Sequence, residues 1–406
     1  MKLTCAQTLV MGVVIIGCIL LTSAQQSPLT ALMDQSHGDG FLTLQEKCEK
    51  YGYPYEEHEV TTEDGYILTL MRIPSSPTSQ SSQPGSPVYL IHPIFVDANQ
   101  FAQGGPEDSP AFFLANRGFD VWLNNFRWTS HTRHTSLDPR TDQEYWDFDL
   151  TTVRHDIMAD ITHILSTNTN YDTVSTFAYS LGGTALSFAL AIEPEFFESR
   201  INVAGLIVTP VSFAHSNSVL YTSAGYMNNV LEKMRQSGAT LLFPYQSPVT
   251  TMIGMFCTIM PNLCTAGLEL ISAEADSSID NRGVGNLLLQ FLPTTVKIFE
   301  HFTQSARTGR VSYFDYGTEG NLEHYGTEEA PLIPLENTVN NVAIFDSDNT
   351  NSASMEDTQW YINEIDPCTV FFNTYHLSHF GFLVGDTQLY LNDVVDLYET
   401  YQSQSS

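Results

Sequence analysis

Ser180 is the residue in this sequence whose surroundings best suit a nucleophile. It lies in Thr173-Val174-Ser175-Thr176-Phe177-Ala178-Tyr179-Ser180-Leu181-Gly182-Gly183-Thr184. Residues 174–178 read as a strand, and an apolar helix is predicted from Leu181 to about Ile192. The serine at the joint fits the nucleophile-elbow pattern G-x-S-x-G, with Ala178 in place of the first glycine. The spacing has a steric cause: the nucleophile sits on a sharp, strained turn, so the residues two before and two after it must be small to clear the crossing backbone. The turn also sets Ser180 at a helix N-terminus, where free N–H groups stabilise developing negative charge. The backbone N–H of Leu181 is one expected oxyanion donor. A plain serine on a small-residue helix start is the bland reading, and the flanking strand and helix weigh against it.

In a strand–turn–helix setting of this kind the partners follow in the order serine, acid, histidine. His379 lies in Tyr375-His376-Leu377-Ser378-His379-Phe380-Gly381-Phe382, after the last predicted strand. As base it would take the Ser180 proton and later pass one to the leaving group. His376 is its local competitor and reads by default as a loop histidine.

The elements that must carry these residues alternate. Residues 58–73 read as two strands around Asp64-Gly65, a hairpin signal. A polar connection, 75–86, leads to a strand at 88–92. Ser109-Pro110 is an N-cap and first helical residue, with Gly118 as the stop. Strands at 119–123, 174–178 and 203–208 and a helix at 150–165 complete a βαβ pattern, which calls for a mostly parallel sheet. From 213 to 337 the alternation fails, and this stretch reads as an inserted helical cap. Alternation returns with strands at 342–345 and 368–372 and a closing helix at 388–400. The expected organisation is therefore a core of 25–212 and 338–406, with 213–337 as cap or lid.

Residues 1–24 read as a signal peptide. Lys2 is the only charge before an apolar run at 9–21, and Thr22-Ser23-Ala24 offers small residues for cleavage. The run is shorter than the roughly 20 residues a membrane span needs. The expected product is secreted or lumenal, with no transmembrane segment after cleavage. With 16 Lys and Arg against 46 Asp and Glu, the formal charge is −30, which disfavours nucleic acid and anionic membranes as partners. Self-repulsion of this size eases as carboxylates protonate, and an acidic working compartment would suit it; solubility alone would account for it equally. Cys48, Cys257, Cys264 and Cys368 follow the leader, an even number that suggests disulfides in a secreted chain. The short Cys257–Cys264 loop is the first expected bridge, and Cys48–Cys368 would follow by elimination. Oligomeric state is not legible.

Further motifs resemble the acid lipases, the α/β-hydrolase family that includes gastric and lysosomal acid lipase. The similarity begins at Tyr51-Gly52-Tyr53-Pro54 and runs through Glu56-Glu57-His58-Glu59-Val60-Thr61-Thr62-Glu63-Asp64-Gly65-Tyr66-Ile67-Leu68. It continues at Arg72-Ile73-Pro74, at Gly118-Phe119-Asp120-Val121-Trp122-Leu123, at Asn125, Arg127 and Trp146, and at the elbow and the His379 segment. The resemblance implies an eight-stranded α/β-hydrolase core, a cap with a lid, and hydrolysis of triacylglycerols or cholesteryl esters at a lipid interface. It implies no metal or organic cofactor, and a secreted or lysosomal location. It puts His379 at the base position.

Two departures fall at the implied site. The family acid follows a glycine-rich loop, and here the chain reads Asp346-Ser347-Asp348-Asn349-Thr350-Asn351. Thr350 occupies the ungapped position of the acid and carries no charge, so Asp348, two residues away, is expected to take the role. Asp346 reads as a turn residue and Asp357 as a surface residue. The family His-Gly-Leu is here His92-Pro93-Ile94, which makes the Ile94 N–H the second expected oxyanion donor and fixes φ at position 93. His92 reads as structural, and Asn124 stands where the family has glycine. The expected mechanism is acyl transfer through a Ser180 acyl-enzyme. A catalytically impaired lipid-binding relative and a serine peptidase of the same fold remain the alternatives. The apolar stretches at 241–243, 252–256 and 287–292 would suit an acyl tunnel and lid, or ordinary helix cores.

Overall fold

Strands buried on both faces by helices read as near-continuous apolar runs, and successive side chains go to opposite sides. Here Tyr89 and Ile91 join one core with Leu68, Ala178 and Leu206, while Val88 and Leu90 join a second core with Ile73, Phe177 and Ile207. The computed structural model of the chain describes residues 39, 42–81, 83–168, 170–216, 223–242, 256, 260, 263, 264, 266, 294–349 and 354–404. The expected leader at 1–24, Cys257, Thr350 and most of the apolar stretches at 243, 252–256 and 287–292 lie outside them.

In chain order the strands are β1 (Glu56–Thr61), β2 (Tyr66–Ile73), β3 (Pro87–Ile91), β4 (Asp120–Leu123), β5 (Arg133–His134), β6 (Val174–Tyr179), β7 (Ile201–Ile207), β8 (Leu241–Leu242), β9 (Thr294–Thr295), β10 (Val342–Ser347) and β11 (Thr369–Tyr375). The helices are α1 (Leu44–Tyr51), α2 (Pro110–Asn116), α3 (Arg154–Thr167), α4 (Leu181–Ile192), α5 (Pro194–Glu198), α6 (Ala224–Gln236), α7 (Val296–Thr308), α8 (Gly317–Tyr325), α9 (Met355–Glu364), α10 (Gly381–Val384) and α11 (Gln388–Gln404). The main sheet runs β1-β2-β4-β3-β6-β7-β10-β11, eight strands along its path, with the two-residue β5 added beside β2. The β1–β2 and β2–β4 pairs are antiparallel, and from β4 to β11 every pair is parallel. This is an α/β-hydrolase fold.

Helices α3 and α4 cover one face of the sheet through Ile157, Ile161, Ile164, Leu186 and Leu190. Helices α1, α2 and α11 cover the other through Leu44, Phe112, Leu114, Tyr390, Val394 and Tyr398. Tyr398 also donates a 2.5 Å hydrogen bond to the carbonyl of Thr176 in β6. Its hydroxyl occupies space that a side chain at Gly205 would need, since a Cβ there would lie 2.5 Å from it. Between β7 and β10 the described chain is mostly helical: α6 packs along α7, and β8 pairs with β9. Among the described residues no helix is long and apolar enough to cross a membrane.

The hairpin turn is made by Gly65, whose φ of +95° favours glycine. Its neighbour Asp64 binds Arg127 from the loop after β4, with Nη1 2.6 Å from Asp64 Oδ2. Arg127 also donates to Asp156 of α3 at 2.9 and 2.6 Å, and its guanidinium lies 4.1 Å from the Tyr66 ring centroid. Arg127 and Asp156 are both fully buried. A second buried pair joins Arg72 to Asp120 at 2.7 and 3.0 Å, and Trp122 Nε1 and Asn168 Nδ2 complete the Asp120 carboxylate. Several positions that carry the family resemblance are therefore packing and pairing positions.

Cys48 and Cys368 are both free thiols, which corrects the bridge expected between them. They belong to opposite faces of the sheet: Cys48 packs in the α1–α2 core and Cys368 against the α3–α4 core. Of the expected Cys257–Cys264 bridge only Cys264 is described. Asp346 is likewise no turn residue. It is the fifth residue of β10, fully buried, and accepts from Ser347 N at 2.8 Å and Thr358 Oγ1 at 2.5 Å. Burial pushes its carboxyl up to about 6, against those two hydrogen bonds.

Removing one partner of a buried ion pair leaves the other uncompensated, at a cost of about 3–5 kcal/mol. Arg127→Met is expected to lower stability by about that much in urea unfolding; a change under about 1 kcal/mol would show that Asp156 is solvated after all. A carboxyl raised by about two pH units is destabilising once ionised, so its contribution is fully present below the unfolded value and lost as pH rises through about 6. Asp346→Asn should therefore gain on wild type by up to about 3 kcal/mol between acid and neutral pH. A difference independent of pH would contradict this.

Candidate active site

β6 ends at Tyr179 and α4 begins at Leu181, so Ser180 alone makes the turn. Its φ is +52° and ψ is −123°, a region that costs a non-glycine residue on the order of 1–3 kcal/mol. The surroundings impose it. Ser180 N donates to Ile207 O of β7 at 2.9 Å, and Ser180 O accepts from Gly183 N and Thr184 N at 2.9 and 3.1 Å. The demand for small residues has a visible cause: a Cβ on Gly182 would lie 2.6 Å from the carbonyl oxygens of both Ile91 and His92 at the end of β3. One on Gly183 would lie 2.0 Å from Thr209 Oγ1. Ser180 is buried, with 7% of its surface exposed, at the start of a twelve-residue helix whose first amides have no intrahelical acceptor.

His379 Nε2 lies 2.9 Å from Ser180 Oγ. The turn itself helps to place it, because Tyr179, the residue before the serine, donates its hydroxyl proton to the His379 carbonyl. The ring sits 5.6 Å from the Tyr179 ring and edge-on to Phe380 at 5.7 Å. Around it, Ser347 Oγ donates to Leu377 O, and Gly381 N donates to Ser378 Oγ at 3.1 Å. Tyr179 is thus a positioning residue, and in the sequence its only signal is its place beside the elbow.

Asp348, expected to orient His379, is turned elsewhere. Its Oδ1 lies 2.9 Å from Nδ1 of His376, and both side chains are at least half exposed. The cause is register. β10 and β11 are parallel with Ser347 opposite Tyr375, and the ladder runs one bond further through Asp348 N to Tyr375 O at 3.2 Å. That bond seats Asp348 beside residue 376. Asp357 starts α9 but is not a surface residue: it is buried and accepts from Ser212 Oγ, His215 N and Ser354 Oγ at 2.8, 3.0 and 2.9 Å.

His92 is fully buried, and burial pushes its imidazole down to about 4. Its Nε2 accepts from Phe126 N at 3.2 Å, which leaves Nδ1 to donate to Pro93 O at 2.7 Å. Its own N–H goes to Asn124 Oδ1 at 2.8 Å. Asn124, a further departure from the family pattern, thus holds the segment that carries Pro93. Two residues on, Phe95 takes φ of +67°, unusual outside glycine, and its ring meets Phe299 of α7 at 5.7 Å. The segment holding Ile94 therefore leaves β3 against the first turn of α4, strained and held from several sides.

Comparison with known proteins agrees with this architecture. A family model described as a partial alpha/beta-hydrolase lipase region matches residues 44–105. Human lipase member K is 26% identical over 89% of this chain and 91% of its own length. Rat lysosomal acid lipase/cholesteryl ester hydrolase is 26% identical over 95% and 97%, and triacylglycerol lipase 1 of Arabidopsis thaliana is 29% identical over 70% of each chain. Among solved structures, a putative lipase from Sulfolobus solfataricus superposes with a TM-score of 0.53 at 13% identity, over 86% of this chain and 99% of that one. A proline iminopeptidase from Mycobacterium smegmatis reaches 0.50 at 11% identity, over 86% and 100%, so the fold alone does not choose between ester and peptide. The sequence matches run almost end to end in lipases, so the chain is similar along its length to lipases that include lysosomal acid lipase, on an α/β-hydrolase fold.

Proposed function

We propose that the protein hydrolyses carboxylic esters of lipids through a Ser180 acyl-enzyme. The observation that carries this reading is the 2.9 Å approach of His379 Nε2 to Ser180 Oγ at a strained strand–helix turn. His379 takes the serine proton as Oγ attacks the ester carbonyl, and the Leu181 and Ile94 amides receive the oxyanion. His379 then protonates the leaving alcohol, and the acyl-enzyme is released by a water that it activates. Triacylglycerol or cholesteryl ester is the substrate class, supported by the lipases that the sequence matches. The stretch at 213–337 serves as cap and lid, and the leader directs the chain to a secreted or lysosomal location.

One observation favours a second reading. Asp348 is engaged by His376, and Thr350 stands where the family carries its acid. Loss of the acid costs about 10⁴-fold in a well-studied triad. A relative so impaired would act as a lipid-binding protein.

A serine-reactive fluorophosphonate separates the two readings. Labelling of folded wild type that vanishes in Ser180→Ala is expected; folded wild type that takes no label would leave only lipid binding. Parallel assays on a triglyceride emulsion and on peptide amides should show turnover of the ester alone. Gly182→Ala is expected to slow labelling by about 10²-fold, the scale of losing one oxyanion donor, because its methyl must displace the end of β3. A labelling rate equal to wild type would mean that the β3 end is not part of the site.

A further inference from the structure

Two histidines meet at the edge of the sheet, away from the site described above. His58 lies in β1, the edge strand, four places along the sheet from β6. His163 lies on α3, which packs against β1. His163 Nε2 is 3.1 Å from His58 Nδ1, and the ring centroids are 5.0 Å apart. Both residues are partly exposed, so an ion in solution can reach them.

The other nitrogen of His58 decides which atom is bare. His58 Nε2 lies 3.2 Å from Glu56 Oε2, and Glu56 also accepts from Arg72 Nη1 at 2.8 Å. Burial pushes the Glu56 carboxyl up, but Arg72 and His58 outweigh it and hold the group below its usual range. An ionised carboxylate only accepts, so a neutral His58 carries its proton on Nε2 and presents a lone pair at Nδ1. A carboxylate behind an imidazole is the arrangement that orients a metal-ligating histidine and raises its basicity. Burial, with His58 and Arg72 nearby, pushes the His163 imidazole down, which favours the neutral form that binds metal. The Arg72 charge is itself met by Glu56 and Asp120.

We propose that His58 Nδ1 and His163 Nε2 form a two-histidine copper(II) site that clips β1 to α3. In the metal-free pair, His163 Nε2–H donates to the His58 Nδ1 lone pair. Copper takes the place of that proton, which moves to His163 Nδ1, so both rings stay neutral and the metal keeps its oxidation state. With the nitrogens 3.1 Å apart, a metal about 2.0–2.1 Å from each would see them at roughly 95–100°, nearer the ~90° of a tetragonal site than a tetrahedron's ~109°. Tetragonal sites of nitrogen and oxygen suit copper(II) and nickel(II), and copper binds the more tightly. Among the described residues no group of three or more His, Cys, Asp or Glu comes together to hold a metal, so water completes the coordination. The proposal does not rest on the hydrolase reading.

Trp122 of β4 supplies a readout: its ring lies 5.0 Å from that of His58 and 6.0 Å from that of His163, close enough for copper(II) to quench its fluorescence. The purified chain is titrated with copper(II) chloride at pH 7 in a non-chelating buffer. Quenching should saturate near one equivalent, the melting temperature should rise by several degrees, and the electron paramagnetic resonance spectrum of that equivalent should show coupling to two imidazole nitrogens. His58→Gln and His163→Gln should each need at least tenfold more copper for the same quenching and lose the rise in melting temperature. Quenching in either variant that matches wild type overturns the site. So does a first equivalent in wild type that couples to fewer than two imidazole nitrogens, a result that needs no variant to fold. Zinc chloride should need at least tenfold more metal than copper for the same rise in melting temperature, and equal potency of zinc overturns the copper assignment.

Discussion

A serine does not hold φ near +52° unaided. At position 180 the surrounding backbone holds it there, and the rest of the site depends on that constraint. The strain is offset by what converges on one turn: the Ile207 carbonyl of a parallel neighbour, the first amides of α4, and the end of β3 pressed against Gly182. The same turn sets Tyr179, whose hydroxyl holds the backbone of His379. Nucleophile and base are thus placed by adjacent residues, the last of β6 and the turn that follows it, not by two independent loops. Any change that relaxes the turn moves both.

The electrostatics follow a second pattern. Four of the buried acids fall into two groups. Asp156 is met by Arg127 and Asp120 by Arg72, and these pairs lock the hairpin and β4 to the helices. Asp346 and Asp160 meet only neutral donors, and burial raises both carboxyls. In a chain with formal charge −30, such groups add to the relief that protonation brings.

Much of this was legible in the sequence because its causes are local. The parallel strands read as apolar runs, the hairpin as Asp64-Gly65, and the elbow as a serine between small residues where a strand meets a helix. α4 spans 181–192 as its apolar pattern predicts, and the Ser180–His379 meeting follows from the order of the elements. What escaped depends on relations between distant segments. The partner of Asp348 is set by one extra bond in the β10–β11 ladder, which no spacing reveals. The Cys48–Cys368 pairing fails because the residues sit on opposite faces of the sheet, and an even cysteine count carries no information about faces. Asp357 reads as a surface residue because its partners, Ser212 and His215, lie in the loop after β7, more than 140 residues away in sequence.

The hydrogen bond from Tyr398 to Thr176 sets an order of events in biosynthesis. The central strand that leads into Ser180 packs on one face against Phe101, which precedes it in the chain, and against α11, which is the last helix to be made. A nascent chain therefore completes the cover of β6 only after β7, β10 and β11 have been translated.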